Sequence, residues 1–472
     1  MSWRRLSGMD AAFLHAETGD APLHVMGALV LESCGRGPCE DFRRIRAQIE
    51  RRLPGLPILR RKLVEVPLGL ARPVWVDDPA FDLDAHLQRT ALPIPGGNAE
   101  LFEAIARLAE VPLHRDRPLW EIWVVEGLEG GRFALVAKIH HAAVDGIGGA
   151  QLMCALLDVD RNARPSRIAE SEPEPEAAPS SATLLADAAL SLGAQPLRGA
   201  WQVLRTTGMG ARLALASLSK REFPLPSAPR TQLNGRVTSR RAVALGSVPL
   251  ADVKRVKNAY AATVNHVVLA ACAGALRRYL GRHGAIPGQP LVAAVPMALS
   301  ERPADGLGNS LSALLVRLPV HLADPIERLR AAREASFDAM RTHELIGNQI
   351  NEWADLLSPT LVAGAVAVYT RLGLAEHMPP VVNLVMSNVP GPVMPLYCAG
   401  ARVTALHPIG PIYDGCALNL TVMSYDGSLG IGAIGCPDAV PGVEEIPLAF
   451  EASVDELLQI VDAASPSIAA AS

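Results

Sequence analysis

Two adjacent histidines at the end of a strand-like run constrain this chain more than any other feature. Residues 132–139 alternate and branch as a buried strand does, and they lead directly into His140 and His141. Because a strand presents successive side chains on opposite faces, the two imidazoles point in opposite directions and only one can enter a given cavity. Asp145 and Gly146 follow, in a predicted glycine-rich turn where Asp145 can fold back towards the strand end.

The residue types in this pattern point to proton transfer. Imidazole is the usual side chain for taking a proton from a hydroxyl group near neutral pH. A carboxylate close by can fix the tautomer of the ring or hold the loop beneath it. A bare pair of histidines would more often be structural, but the complete His-His-x-x-x-Asp-Gly pattern at a strand-to-turn junction favours a general base.

Length and composition limit the fold and the partners. At 472 residues the chain is long for one hydrophobic core, so two domains are expected. A hydrophobic content of 49% with 19% charged residues indicates a globular protein, and the net charge of −4 gives no reason to expect nucleic acid. The seven cysteines are scattered without metal-ligand spacing, which predicts reduced thiols and no metal site.

The sequence predicts no membrane-spanning segment. The N-terminus lacks the apolar core of a signal peptide. The most apolar stretch, residues 361–369, lies between Pro359 and Arg371 and is far shorter than the roughly 20 residues that a span requires. Association with a membrane surface stays open.

The chain divides into three predicted regions. Residues 1–160 form an N-terminal lobe that contains the histidine motif, residues 161–234 form a linker, and residues 235–472 form a C-terminal lobe. Both lobes mix helices and strands irregularly, which predicts an α/β class of α+β two-layer lobes rather than a doubly wound sheet. The predicted helices cover residues 40–53, 101–109, 263–280, 324–341 and 455–464, and the predicted strands cover residues 73–76, 121–125, 132–139, 241–245, 291–295, 312–318, 381–387, 418–425 and 429–434.

The linker has two parts of different character. Residues 170–181 are acidic and proline-rich, which predicts disorder. Residues 184–218 carry apolar residues at mostly helical spacing, and a basic stretch follows, comprising Lys220, Arg221, Arg230, Arg236, Arg240 and Arg241. A solvated connector and an interfacial helix on an anionic lipid surface are both consistent with this pattern.

Segments spread over nearly the whole chain carry a resemblance to a known family. They are residues 6–14, 22–25, 72–76, 81–84, 118–121, 140–146, 387–392 and 419–427. Together they resemble the bacterial wax ester synthase/acyl-CoA:diacylglycerol acyltransferase family. The histidine motif alone is shared with peptide-synthetase condensation domains and other chloramphenicol-acetyltransferase-like enzymes, and the Pro-Leu-Trp segment and the Ser-Asn-Val-Pro-Gly-Pro segment narrow the resemblance to this family.

The resemblance implies two chloramphenicol-acetyltransferase-like lobes with a substrate tunnel between them. It also implies an O-acyltransferase that moves a long-chain fatty acyl group from acyl-CoA to diacylglycerol, to a long-chain alcohol, or to both, with the coenzyme A thioester as substrate and no bound cofactor. By resemblance His141 is the general base, and it later returns the proton to the departing thiolate without a covalent intermediate. Asp145 is assigned to architecture, and Gly146 to a close backbone approach that a Cβ would prevent.

Further residues are candidates for the tunnel. The Pro-Leu-Trp segment is expected to pack rather than to touch substrate. Asn388 either donates a hydrogen bond to the thioester oxyanion or stabilises the turn that follows it. The candidates are Pro118, Leu119, Trp120, Asn265, Ser387 and Asn388.

Two positions depart from the family pattern. His266 stands where the family has an acid, three residues after the predicted helix cap Thr263, and Ser300 stands where the family has an arginine. An acid at position 266 would reach back to the N–H group of the cap, and we expect that His266 cannot. One interpretation is a single lost ion pair in the second lobe, which leaves His141 intact.

Two other functions stay open at this point. One is a carrier-protein-dependent acyltransferase of the condensation-domain type, and the other is a non-catalytic relative that binds acyl chains or coats lipid inclusions. We expect a cytoplasmic protein that associates peripherally with the inner face of the plasma membrane or with lipid inclusions. The sequence leaves the acyl acceptor, the chain length and the oligomeric state open.

Overall fold

The computed structural model describes residues 3–35, 37–162, 179–190, 228–298, 311–346 and 359–464. Within these ranges the strands form two six-stranded sheets and one three-stranded sheet. The largest apolar cluster joins one face of the first six-stranded sheet to the second sheet, and another cluster covers the opposite face of the first. The core therefore continues from one lobe into the other.

The strands fall in the following order along the chain. They are β1 (Arg4–Arg5), β2 (His24–Glu32), β3 (Arg61–Val64), β4 (Val74–Asp77), β5 (Leu87–Ala91), β6 (Trp120–Leu128), β7 (Arg132–His140), β8 (Ala242–Pro249), β9 (Leu291–Ala298), β10 (Leu311–Leu318), β11 (Leu384–Val389), β12 (Tyr397–Cys398), β13 (Ala401–Ile409), β14 (Leu418–Tyr425) and β15 (Ser428–Gly435).

The α-helices connect and cover these strands. They are α1 (Gly8–Ala16), α2 (Pro38–Arg52), α3 (Asn98–Glu110), α4 (Gly146–Leu156), α5 (Ser181–Leu190), α6 (Leu250–Ala259), α7 (Val264–His283), α8 (Pro325–Ile346), α9 (Pro359–Arg371), α10 (Leu374–His377) and α11 (Glu445–Ala464). The sequence of helix α2 favours a helix at both ends. Proline and two acids occupy its first turn, and two arginines occupy its last turn.

The first six-stranded sheet carries the histidine motif. Its strand order is β12-β13-β2-β7-β6-β5, and the pairs are antiparallel except for β5 beside β6. Strand β7 lies between β2 and β6, and its last residue, His140, pairs with His24 of β2. The predicted hairpin of β6 and β7 is confirmed, with an irregularity between Val125 and Leu128.

The second six-stranded sheet is built from the later part of the chain. Its order is β10-β9-β11-β14-β15-β8, with β11 parallel to both of its neighbours and the other pairs antiparallel. Helix α7 is buried along most of its length and packs against α11 and α8. In this arrangement the C-terminal end of the parallel strand β11 faces the first lobe. Its last residue, Val389, joins the apolar cluster of that lobe.

One segment of the later chain crosses to the first sheet. The sequence analysis assigns all of residues 235–472 to the C-terminal lobe, but β12 and β13 extend the first sheet beyond β2. The crossing brings β13 against β15, where a Cβ at Gly430 would lie 2.0 Å from the Leu406 carbonyl oxygen and one at Gly432 would lie 1.9 Å from that of Pro408. Strands β12 and β13 therefore belong to the first sheet, although the sequence predicts them in the C-terminal lobe. Backbone-to-backbone contact across the two glycines holds β13 between the lobes.

Part of the linker packs on the protein. Helix α5 buries Leu184 and Ala188 against the small sheet of β1, β4 and β3, and Asp187 pairs with Arg5. Residues 170–178 of the predicted disordered segment and residues 191–218 of the predicted amphipathic stretch lie outside the described residues.

The basic stretch at the end of the linker is largely engaged by the protein itself. Arg241 is buried and donates to the carbonyl oxygen of Asp20, and Arg240 pairs with Asp438 at 3.0 Å. Arg230 donates to the carbonyl oxygen of Ala375 at 3.1 Å. Of the four basic residues of this stretch that the structure describes, three therefore have protein partners.

Most of the predicted elements are confirmed, with shifted ends. The expected turn after Asp145 is wrong, because helix α4 begins at Gly146. Strands β2 and β13 have no counterpart in the prediction. Both are buried on two faces for much of their length, so their sequences do not alternate clearly.

The expectation that His266 cannot cap its own helix is also wrong. Thr263 Oγ1 accepts from the His266 N–H group at 3.2 Å, and the Thr263 N–H group donates to His266 Nδ1 at 3.3 Å. A neutral imidazole supplies the acceptor that an acid would supply. Burial, and secondarily Arg333, lower the pKa of His266, which favours the neutral form. Ser300 lies outside the described residues, so the lost-pair interpretation stays a prediction.

No described helix alone is both long enough and apolar enough to span a membrane. The one pair of described helices that meets both conditions together, α6 with α7, is bent by 102° at its junction.

The close approach of β13 and β15 predicts a large cost for a methyl group at Gly432. We expect Gly432→Ala to lower the free energy of unfolding by roughly 3 kcal/mol, the upper part of the usual range for overpacked sites, because the obstacle is backbone. Gly288→Ala is the control, since nothing lies within 4 Å of its added Cβ. Denaturant unfolding of both variants measures the difference, and equal stabilities would contradict this account of the crossing.

Candidate active site

A cavity of about 750 Å³ opens between the two lobes. Strands β2, β6 and β7 with helices α1 and α4 line it from the first lobe, and β9, β11, β13 and β14 with α9 line it from later parts of the chain. Most of the lining side chains are apolar. Its volume falls within the ~300–1,000 Å³ that is typical of small-molecule sites, and its walls suit a hydrocarbon chain.

His141 is the motif histidine that faces this cavity. It is half-buried, and its imidazole stacks on the ring of Phe13 with centroids 4.1 Å apart. Its backbone N–H group donates to the carbonyl oxygen of Leu23 at 2.9 Å, which ties the residue to the start of β2. The ring is therefore held in place from one side while the cavity remains accessible from the other.

His140 points away from the cavity and is almost completely buried. Its Nδ1 accepts a hydrogen bond from the Ala142 N–H group at 3.0 Å, and its Nε2 lies 3.4 Å from Glu17 Oε1. The bond to Ala142 makes Nδ1 the acceptor, so Nε2 carries the hydrogen that faces Glu17. His140 thus fixes the backbone just after His141.

Glu17 is a buried carboxylate that anchors this arrangement. It accepts from the Leu23 N–H group at 3.1 Å and from Arg115 at 2.9 Å, in addition to its contact with His140. Burial acts to raise its pKa, but His140, Arg115 and Leu23 together outweigh burial and lower the pKa of Glu17 to about 2. Glu17 is therefore ionised at neutral pH.

Further buried polar groups surround the same strand ends. Lys138 donates to the carbonyl oxygens of Leu108 and Val111 at 3.2 and 2.9 Å, and its Nζ lies 3.3 Å from Glu121. His24 is buried opposite His140, where burial and then Lys138 hold its pKa well below the usual value. Glu17 and Lys138 were not predicted from the sequence, although Glu17 lies between two of the segments that resemble the family.

Asp145 is the N-cap of helix α4. Its Oδ1 accepts from the Gly148 N–H group at 2.6 Å, and the residue is buried. A carboxylate at this position satisfies a free N–H group and complements the helix dipole.

Gly146 does not have the role that the sequence analysis gave it. A Cβ at this position would lie 3.4 Å from Val389 Cγ2, which is an ordinary contact, and its φ is not positive. The expected clash is therefore absent, and Gly146 is simply the first residue of α4, where it lines the cavity.

The Pro-Leu-Trp segment lies mainly in the core. Leu119 and Trp120 are buried, and the Trp120 indole N–H group donates to the carbonyl oxygen of Leu59 at 2.8 Å. The indole also stacks on His86 with centroids 4.6 Å apart. Trp120 contributes to the cavity wall, whereas Pro118 and Leu119 do not. This geometry is that of packing residues.

Asn388 and Ser387 line the cavity from β11. The Asn388 side-chain amide donates to Asn265 Oδ1 at 3.2 Å, which links β11 to the first turn of α7. Asn265 does not line the cavity and instead orients Asn388. Asn419 and Thr421 add a second polar pair to the wall, joined by a hydrogen bond of 2.8 Å.

The described residues contain no group of three or more His, Cys, Asp or Glu side chains that could hold a metal ion. The polar groups that line the cavity include an imidazole, amides and hydroxyls, together with the charged side chains of Glu121, Lys138 and Asp414. Such groups can accept a proton and donate hydrogen bonds to a developing negative charge.

The low pKa of Glu17 predicts a pH-dependent stabilisation. A carboxyl group with a folded pKa of about 2 and an ordinary value of 4.5 contributes stability that is complete above pH 4.5 and is lost as the pH falls towards 2. We expect Glu17→Gln to cost about 3 kcal/mol near neutral pH, with the difference from wild type shrinking in acid. Denaturant unfolding over this range measures it, and Glu50→Gln, at an exposed site, is the control. A difference that does not vary with pH would contradict the assignment.

The capping role of Asp145 predicts different effects for two substitutions. Asp145→Ala removes the acceptor for Gly148 and should cost about 1 kcal/mol of unfolding free energy. Asp145→Asn keeps an acceptor of similar capping strength and should cost less. Thermal or denaturant unfolding distinguishes them. Equal losses for both variants would mean that the charge of Asp145, rather than the cap, is what matters.

The chain matches two domains of one family. Residues 6–268 match the wax ester synthase/diacylglycerol acyltransferase catalytic domain, and residues 307–458 match the C-terminal domain of the same family. The first match covers the histidine motif, and the second covers the crossing strand β13.

Curated relatives extend over the same length. A Mycobacterium tuberculosis protein named as a diacylglycerol O-acyltransferase is 36% identical over 464 residues, which cover 97% of this chain and 91% of the relative. A second one from that organism is 38% identical over 467 residues, covering 97% and 100% of the two chains.

Solved structures support the fold. The wax ester synthase/diacylglycerol acyltransferase from Marinobacter aquaeolei VT8 is similar with a TM-score of 0.69 and 27% identity, over 97% of this chain and 100% of that one. The first condensation domain of the calcium-dependent antibiotic synthetase is similar with a TM-score of 0.57 and 16% identity, over 97% and 96%, which shows the fold alone. The expected two-lobe, chloramphenicol-acetyltransferase-like fold is confirmed. The chain belongs to the wax ester synthase/diacylglycerol acyltransferase family.

Proposed function

We propose that this chain transfers a long-chain fatty acyl group from acyl-CoA to the hydroxyl group of diacylglycerol or of a long-chain alcohol, with His141 as general base. Its family membership supports acyl transfer of this kind. One observation carries the assignment of the base. Of the two adjacent motif histidines, only His141 faces the cavity between the lobes, whereas His140 is buried against Glu17.

The chemistry requires a base and later an acid. The acceptor hydroxyl loses its proton to the His141 imidazole as its oxygen attacks the thioester carbonyl carbon. The tetrahedral intermediate then re-forms the carbonyl and breaks the carbon–sulfur bond. The departing coenzyme A thiolate takes the proton from His141, which returns the base to its neutral form. The path needs no acyl-enzyme, so no nucleophilic serine or cysteine is invoked.

Asn388 is the proposed donor to the oxyanion of the intermediate. It lines the same cavity as His141 and uses one amide hydrogen for Asn265, so its second amide hydrogen is available to a ligand. Asn265 is then a positioning residue, because it fixes the plane of the Asn388 amide. A fixed donor in a cavity that is poor in water stabilises a developing charge more than a mobile donor would.

The low polarity of the cavity fits the substrates. Hydrocarbon chains gain roughly 25 cal/mol for each Å² removed from water, and the walls offer mostly aliphatic side chains for that burial. His141 lies in the first turn after β7, between walls contributed by the two lobes. Donor and acceptor can therefore meet at the imidazole while their chains occupy apolar parts of the cavity.

We also propose that the protein is cytoplasmic and associates peripherally with the inner face of the plasma membrane or with lipid inclusions. The support is chemical, since diacylglycerol and long-chain alcohols are dissolved in lipid. The basic linker stretch gives less support than its sequence suggests, because Arg230, Arg240 and Arg241 have protein partners.

A pair of alanine substitutions tests the proposed function. Purified wild type should transfer labelled palmitate from palmitoyl-CoA to diacylglycerol or hexadecanol without any carrier protein. His141→Ala should lower turnover about 10² to 10⁴-fold with little change in melting temperature, because the side chain is partly exposed to the cavity. His140→Ala should lower the melting temperature, because it leaves Glu17 buried beside a void.

Two results would contradict the proposal. One is an absence of transfer by wild type to both acceptors. The other is a larger loss of turnover in His140→Ala than in His141→Ala at unchanged melting temperature, which would exchange the roles of the two histidines.

A further inference from the structure

Helix α9 has an unusual composition for a helix at a protein surface. Residues 359–370 contain no charged side chain, and Arg371 at the end of the helix is the first ion. Surface helices normally direct charged and polar residues to solvent. Here Val368 is 53% exposed, and Leu372, just beyond the helix, is 64% exposed.

Further exposed apolar side chains lie near the start of this helix and in the segment that follows its end. The loop that contains Leu68 touches the start of α9, since a Cβ at Gly69 would lie 2.9 Å from Thr360 Cγ2. The segment that follows the helix exposes further apolar residues. We call this surface the apolar rim, and it consists of Leu68, Leu70, Val368, Leu372, Met378 and Val381.

The opposite side of α9 belongs to the active-site cavity. Val366, Tyr369 and Thr370 line that cavity, and α9 also packs against α1, which supplies Phe13 beneath His141. A single apolar helix therefore separates the cavity from the apolar rim. One face of α9 lines the cavity and the other belongs to the apolar rim, and the two faces have similar polarity.

Charged groups beside the apolar rim are compatible with a phospholipid surface. Arg371 is exposed at its edge, at the end of α9. Glu376 is an exposed acid five residues further along the chain. An arginine beside an apolar surface can pair with a lipid phosphate while the apolar side chains enter the acyl region.

We propose that the apolar rim docks on a phospholipid bilayer, so that α9 lies between the lipid phase and the active-site cavity. This inference rests on the proposed function, because contact with a bilayer brings the protein to an acceptor that is dissolved in lipid. It places the lipid-binding surface on described residues of α9 and its neighbours rather than on the basic end of the linker. Exposed apolar area of this kind gains free energy when it leaves water.

The test compares two double variants. Val368→Glu with Leu372→Glu places two charges in the apolar rim. Val159→Glu with Leu448→Glu is the matched control, with the same residue types at exposed positions outside the apolar rim, and Leu448 has the same 64% exposure as Leu372. Flotation with phosphatidylcholine vesicles, with and without phosphatidylglycerol, measures binding. Acyl transfer is followed with diacylglycerol in the vesicles and with an alcohol that is soluble in buffer.

We expect the rim variant to lose vesicle binding on the order of tenfold and to lose transfer to vesicle diacylglycerol in parallel. Its transfer to the soluble alcohol and its melting temperature should match wild type, because both side chains are exposed and neither lines the cavity. The control should behave as wild type in all assays.

Several outcomes would overturn the inference. Unchanged vesicle binding would do so, and so would an equal loss in the control. A lowered melting temperature with unchanged vesicle binding would show that the chain itself covers the apolar rim. Conversion of a dimer to a monomer, seen by light scattering, with vesicle binding unchanged would identify a second copy as the occupant. Failure of wild type to use either acceptor would instead contradict the proposed function.

Discussion

The pairing of β2 with β7 is the constraint on which the rest of the site depends. It places His24 opposite His140 and ends the strand there, so that alternation turns His140 into the protein and His141 towards the cavity. A shift by one residue would exchange the two imidazoles. The buried carboxylate of Glu17, which contacts His140 and accepts from the backbone at Leu23, connects the ends of both strands and opposes such a shift.

The second constraint is the close contact between the lobes. Strand β13 leaves the later part of the chain, extends the first sheet, and crosses the glycine backbones of β15 at Gly430 and Gly432. The cavity lies beside this crossing, and residues of β13 form part of its wall. Because the crossing strand contacts both lobes, the imidazole of one lobe and the amide of Asn388 from the other line the same cavity. Two motifs that are distant in the sequence therefore lie at one cavity.

Local sequence patterns predicted the elements that have clear periodicity. The hairpin of β6 and β7, the long helix α7 and the second-lobe strands follow from alternation, helical spacing and a capping threonine. Strand β13 could not be predicted in this way, because it contains Pro408 and is buried on both faces where it lies between the sheets. The glycines at the start of helix α4 predict a turn, whereas the cap by Asp145 and tertiary packing determine a helix there.

The residues of the site, like the elements of the fold, could be predicted from the sequence only in part. Because successive residues of a strand point in opposite directions, the opposed orientations of His140 and His141 could be predicted from the sequence. Glu17 was missed because a single acid beside a helix end has no periodic signal, and its importance arises only from burial beside His140. The capping by His266 was not predicted, because an acid is the usual residue at this position, whereas burial favours a neutral ring whose Nδ1 accepts from Thr263.

The most direct test of this account is a crystal structure with a non-reactive thioether analogue of an acyl-CoA and a long-chain alcohol. The account predicts the acyl chain in the cavity between the lobes and the alcohol oxygen within about 3 Å of an imidazole nitrogen of His141, the reach of a general base. The Asn388 amide should then face the analogue where the thioester oxygen would lie. An alcohol oxygen placed outside hydrogen-bond reach of His141 in the assembled complex, or beside another titratable group, would contradict the central claim.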